Sequence, residues 1–80
     1  MYLYETFEYK KALTDFSKAI ELSPKTVKYY HLRADCNQKM GQYEKALEDY
    51  SLAIEIDEKN PQSYEYRSYL YIEMNDFNRA

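Results

Sequence analysis

Residues 9–25 (YKKALTDFSKAIELSPK) and 43–59 (YEKALEDYSLAIEIDEK) align without a gap at an offset of 34, and ten of the seventeen positions are identical. The identities are Tyr9/Tyr43, Lys11/Lys45, Ala12/Ala46, Leu13/Leu47, Asp15/Asp49, Ser17/Ser51, Ala19/Ala53, Ile20/Ile54, Glu21/Glu55 and Lys25/Lys59. The offset continues more weakly through Tyr30/Tyr64, Arg33/Arg67, Met40/Met74, Tyr43/Phe77 and Ala46/Ala80. A period of this length makes each copy one supersecondary unit, which buries its apolar face only by stacking on its neighbours.

Each unit reads as two helices. Tyr43, Ala46, Leu47, Tyr50, Ala53 and Ile54 recur at helical spacing, with Glu44, Lys45, Glu48, Asp49 and Glu55 mostly off that stripe. Gly41 is placed to stop the preceding helix in a left-handed turn, and Asn75 stands at the matching position. Thr26 and Asn60-Pro61 sit where helices start, Thr and Asn as N-caps and Pro as the first helical residue. The layout predicted is a stub at 1–5, helices at 8–22, 27–40, 43–57 and 61–74, a stub from Phe77, and no strand. Ala12, Ala19, Ala34, Ala46 and Ala53 are expected at helix–helix contacts.

Core material is scarce in 80 residues: Ile, Leu, Val and Phe number only 15, a level close to that of disordered chains. Eleven tyrosines supply the missing apolar area, and the net charge of −3 is too small to expand the chain.

The Ala/aromatic pattern resembles the tetratricopeptide repeat (TPR), a helix–turn–helix unit of 34 residues. Tyr30, Ala34, Tyr43, Ala46, Tyr50 and Ala53 fall on its hallmark places in one copy. Tyr9, Ala12, Phe16, Ala19 and Pro24 do so before it, and Tyr64, Ser68, Phe77 and Ala80 after it. The resemblance implies an all-α fold, a short right-handed α-solenoid of about 2.35 repeats divided as 1–26, 27–60 and 61–80. There are departures. Glu58 replaces the exit-loop Pro, Asn37 replaces an apolar core residue, and Phe7 occupies the turn place held by Gly41, so the first stub can simply extend the helix that follows.

Catalytic and cofactor signatures are missing. One Gly excludes a Gly-rich phosphate loop, and neither a paired-Cys zinc pattern nor a His-Glu-x-x-His helix occurs. His31 and Cys36 lie five residues apart, about 140° around a helix, so they cannot share a site on it. Cys36 is read as a packed core residue, and a single Cys fits a reducing compartment. No apolar run exceeds Tyr69–Ile72, so neither a membrane span nor a signal-peptide core is expected. A pI near 5.1 argues against nucleic acid. The expectation is an intracellular, cytoplasmic, non-enzymatic protein with no cofactor and no metal, acting on neither nucleic acid nor membrane.

In TPR arrays the first helix of each pair lines the concave side. The resemblance therefore assigns the ligand groove to Lys28, His31, Leu32, Asp35 and Gln38 on one helix and to Gln62, Glu65, Tyr66 and Tyr69 on the next, with Ile72 beyond them. Tyr66 and Tyr69 are the expected anchors, and the alternative is that they cover a helix of a longer array. His31 and Asp35, at i and i+4, are either a solvated pair or polar contacts for a ligand. The clamp of Lys, Asn and Arg with which some TPR proteins hold acidic chaperone tails does not carry over. Leu32 holds the Asn place, and Gln62 and Tyr66 hold the Lys and Arg places. Lys10, Lys11, Lys18, Glu44, Glu48 and Asp49 read as solvated outer faces.

The function implied is a protein–protein interaction module that takes a peptide or partner protein in the concave groove. The alternatives are a structural spacer or oligomerisation segment of a larger protein, an accessory domain to an enzyme, and, least supported, an RNA binder. Helix 8–22 is expected to lack a cover for Tyr9, Ala12, Phe16 and Ala19, and helix 61–74 one for Leu70, Tyr71 and Met74. Those complementary gaps predict head-to-tail self-association.

Overall fold

Small residues at helical spacing let helices approach closely, and aromatics from the neighbouring helix fill the spaces between them. A computed structural model describes residues 2–79, with side chains for 8–75, and shows that arrangement. Four helices follow one another: α1 (Tyr2–Leu22), α2 (Val27–Lys39), α3 (Tyr43–Ile56) and α4 (Pro61–Arg79). No strand forms among the described residues. Each helix packs on its sequence neighbour, and α2 against α3 is the most extensive pairing.

The turns hold as the sequence chemistry requires. Gly41 has φ +80°, the one positive φ among the described residues. Around it the Gly41 amide donates to Gln38 O (3.0 Å) and the Gln42 amide to Asn37 O (2.8 Å), closing α2 with a Schellman motif. Asn60 caps α4: its side-chain oxygen accepts from the Gln62 amide at 2.9 Å, with Pro61 as the first helical residue. Thr26 occupies the N-cap place of α2, but its hydroxyl makes no capping bond. Its carbonyl accepts from the Tyr29 amide at 3.1 Å instead. Tyr30 Oη donates to Pro24 O at 2.7 Å and ties this turn to α2.

Two expected helix ends are absent. α1 begins at Tyr2 rather than residue 8, the extension that Phe7 at the turn place allowed, and α4 runs through Asn75 to Arg79. The ends at Lys39 and Ile56 each fall one residue short of expectation. A left-handed non-Gly residue costs roughly 1–2 kcal/mol, whereas continuing the helix adds a backbone hydrogen bond per residue. Without a glycine, the helix continues. Phe77 and Ala80, assigned to later hallmark places, lie outside the described side chains.

The core is a cluster of Ala34, Ala46, Tyr50 and Leu70, with Tyr43, Leu47 and Met74 packed on it. Ala34, Ala46 and Ala53 are fully buried, as expected, whereas Ala12 and Ala19 are only half-buried. They lie on a side of α1 that no described helix covers as α2 covers α3. Leu70 and Met74 correct the expectation that they face outward. Ser63, Leu70 and Met74 lie at i, i+7 and i+11, two turns and then one more, and that stripe faces the α2–α3 pair. Asp49 is likewise no surface residue: it is buried, for the reason given below. Cys36 is a buried free thiol whose pKa burial raises, as its core assignment required.

Ala46 leaves no room at the α2–α3 crossing. Ala46→Leu is expected to destabilise the chain by about 1–3 kcal/mol through overpacking, read from the chemical denaturation midpoint at unchanged slope.

A cleft between the first helices and the ion pair behind it

α2 and α4 lie on the same side of the molecule, with α3 behind them. Val27, Lys28, His31 and Leu32 of α2 face Asn60, Gln62 and Tyr66 at the start of α4 across a cleft of about 390 Å³. His31 and Tyr66 meet edge to face, ring centroids 5.0 Å apart. Tyr50 of α3 lies against both, 6.1 Å from His31 and 5.8 Å from Tyr66. Buried Tyr50 thus supports from behind the two rings, His31 and Tyr66, that line the cleft.

His31 Nε2 and Ser63 Oγ share a hydrogen bond of 2.6 Å, and Ser63 is fully buried. On a neutral ring protonated at Nδ1 the hydroxyl donates to Nε2; with a proton on Nε2, whether the ring is neutral or charged, Nε2 donates and the hydroxyl accepts. The bond therefore survives protonation, and what opposes it is burial, which lowers the His31 pKa below 6.5. Further along, Gln38 Nε2 donates to Glu73 Oε1 at 2.6 Å, because a carboxylate only accepts. Its Oε1 then accepts from Tyr50 Oη at 3.3 Å, and Tyr43 Oη donates to Glu73 Oε2 at 3.1 Å. Burial, together with the nearby Asp35, Tyr66, Asp49 and Glu73, pushes the Tyr50 phenol up to about 12, so it stays a donor.

Of the residues assigned to the groove from sequence, Lys28, His31, Leu32, Gln62 and Tyr66 line the cleft together. Gln38 is committed to Glu73 and Tyr50. Asp35 is exposed and sits 3.9 Å from Lys39, while His31 turns to Ser63, so the expected His31–Asp35 pair does not organise the face. Glu65, Tyr69 and Ile72 are exposed on α4 and do not line the cleft.

Behind the cleft, sequence reading missed an ion pair. Arg33 of α2 donates through Nε to Asp49 Oδ2 (2.9 Å), through Nη2 to Oδ1 (2.8 Å) and through Nη1 to Ser17 Oγ (3.1 Å). One guanidinium therefore binds α1, α2 and α3 together, and its hydrogen bond to Asp49 raises its pKa. The bidentate geometry explains how Asp49 can be only 4% exposed. The signal was present: Arg33/Arg67, Asp15/Asp49 and Ser17/Ser51 all repeat at 34. A crevice of about 300 Å³ opens beside the pair, lined by Leu13, Ser17, Asn37, Lys45 and Glu48 as well, but the polar groups at its centre bond one another. No group of three His, Cys, Asp or Glu close enough to hold a metal occurs among the described residues.

Two family models of the tetratricopeptide repeat match the sequence, one over residues 1–26 and the other over residues 27–60. The chain belongs to the tetratricopeptide repeat family. No curated protein matches it closely. TPR units are generally protein–protein interaction modules and are typically non-catalytic. Among the described residues no helix is long and apolar enough to cross a membrane.

Two outcomes test this geometry. Arg33→Met leaves Asp49 buried opposite an apolar side chain. It should destabilise the TPR array by about 2–3 kcal/mol, below the range for a fully buried pair because Arg33 keeps 24% of its side chain exposed. The check is a urea melt against Asp49→Asn and the double variant. His31 titrates lower in the folded than in the unfolded chain. The stability that its neutral ring contributes is fully present above pH 6.5 and falls as pH drops through the unfolded value toward the folded one. A proton-NMR titration should place the midpoint below 6.5, and His31→Gln should flatten the stability profile just below that pH.

Proposed function

We propose that this TPR array is a non-catalytic interaction module whose ligand is a peptide segment of another protein, held on the α2–α4 face. The observation that carries this reading is the aromatic wall of the cleft. His31, Tyr50 and Tyr66 form one ring cluster in which Tyr66 remains 37% exposed, a rigid apolar surface beside the polar edge of Gln62 and Asn60. Such a surface supplies contact area with little loss of side-chain freedom. Lys28 is the one charged residue in the lining, and Tyr69 extends the apolar strip along α4 at 60% exposure. The ligand that fits seats an apolar side chain against Leu32 and Tyr66. It carries its polar groups toward Gln62, and Asp35 and Glu65 flank it. A cytoplasmic location is part of the proposal, supported by the single free Cys36, which fits a reducing compartment.

A displayed library of random peptides, selected on the wild-type chain and counter-selected on Tyr66→Ala, tests the assignment. Enriched peptides should lose at least about tenfold in affinity to Tyr66→Ala and less to Tyr69→Ala, and should shift the amides of His31, Leu32 and Gln62. Shifts confined to the exposed side of α3, or affinity indifferent to Tyr66, would favour the alternative, a structural spacer within a larger protein.

A further inference from the structure

Arg33 and Arg67 stand 34 residues apart and hold the same local pose. The Arg33 guanidinium carbon lies 5.9 Å from the Tyr30 ring centre, and that of Arg67 lies 5.8 Å from the Tyr64 ring centre. Arg33 then reaches Ser17 on the helix before it and Asp49 on the helix after it. For Arg67 the first of these has its counterpart in Ser51 on α3, and for the second no carboxylate partner of Arg67 is found among the described residues. That side of α4 is open: Tyr64 is 41% exposed where Tyr30 is 7%, and Ser68 is exposed where Ala34 is fully buried.

α1 carries the matching surface, also open. Tyr9, Ala12, Asp15, Phe16 and Ala19 repeat Tyr43, Ala46, Asp49, Tyr50 and Ala53 of α3. Asp49 is buried and Asp15 exposed; Ala46, Tyr50 and Ala53 are buried, while Ala12, Phe16 and Ala19 are half-exposed. α1 therefore presents the face with which α3 covers α2, and α4 presents the face that α2 offers to α3.

We propose that a second copy of this chain occupies the open side of α4, its α1 packing there as α3 packs on α2, with Asp15 of the second copy received by Arg67. The charges are complementary at the one place where the observed junction places an ion pair. The backbones also agree. At an α2–α3 type junction the start of the second helix lies beside the end of the first. α1 begins seven residues before Tyr9, at Tyr2, and α4 continues five residues past Met74, to Arg79, so the two straight helices lengthen the antiparallel contact together. The contact joins unlike surfaces, so it grows into rows rather than closing at two. It leaves the α2–α4 cleft uncovered and does not depend on the peptide-binding reading.

Sedimentation velocity on the 80-residue chain, from micromolar to millimolar concentration, should show average mass rising past that of a dimer. Asp15→Arg and Arg67→Asp should each weaken association by at least about tenfold, because each variant sets like charges against each other. Mixing the two should restore it, since every junction in the mixture can pair opposite charges. Circular dichroism should show wild-type helix content in both. If either swap fails to fold, Asp15→Asn should show a smaller loss in the same direction. A monomer at every concentration, a mass that stops at two, or association indifferent to the swaps would overturn the proposal.

Discussion

The close approach of α2 and α3 is the constraint on which the rest depends. Ala34 and Ala46 present almost nothing beyond the backbone at the crossing, so the two helices come near enough for Tyr50 to be enclosed. Tyr50 then serves two purposes: it closes the core with Leu70, and its ring packs against His31 and Tyr66. A larger side chain at either alanine would push α3 back and move the ring that backs His31 and Tyr66. Core packing and the shape of the candidate site are therefore set by the same contact.

The polar groups divide by face. On the cleft side, Gln38, Glu73, Tyr43, Tyr50, His31 and Ser63 connect α2, α3 and α4 by side-chain hydrogen bonds. On the other side, Arg33 joins α1, α2 and α3. A chain with few branched aliphatic residues cannot hold four helices in place by apolar area alone, and directional bonds add the specificity of angle that the tyrosine-rich core lacks. No buried side-chain polar atom is left without a partner among the described residues. The helices are consequently held in one arrangement, and the shape of the α2–α4 cleft is fixed with them.

Helix identity, order and the turn at Gly41 were legible because each rests on local chemistry: periodicity, a left-handed glycine, an Asn-Pro cap. The end at Asn75 was misread because the repeat supplied a position without the glycine that makes the turn cheap, whereas the absence of a turn at Phe7 followed from the same rule. Asp49 was misplaced for a related reason. Along one helix it sits among Glu48, Lys45 and Glu44 and looks solvated. Only the partner helix, which brings Arg33 to 2.8 Å, makes its burial favourable.

The sequence by itself determined that this protein is a row of helical pairs, and it named Lys28, His31, Leu32, Gln62 and Tyr66, which meet across one cleft. A fixed 34-residue period admits little else, since each unit must repeat the packing of the last. Tertiary structure decided which of those residues act together. His31 could have turned to Asp35, its neighbour on the same helix, but Ser63 is the group it reaches, from 32 residues away. Leu70 could have faced outward with Tyr71, but it lies on the stripe that meets Ala34 and Ala46. These choices depend on distances between helices, and such distances exist only once Ala34, Ala46 and Tyr50 have set how closely the helices pack.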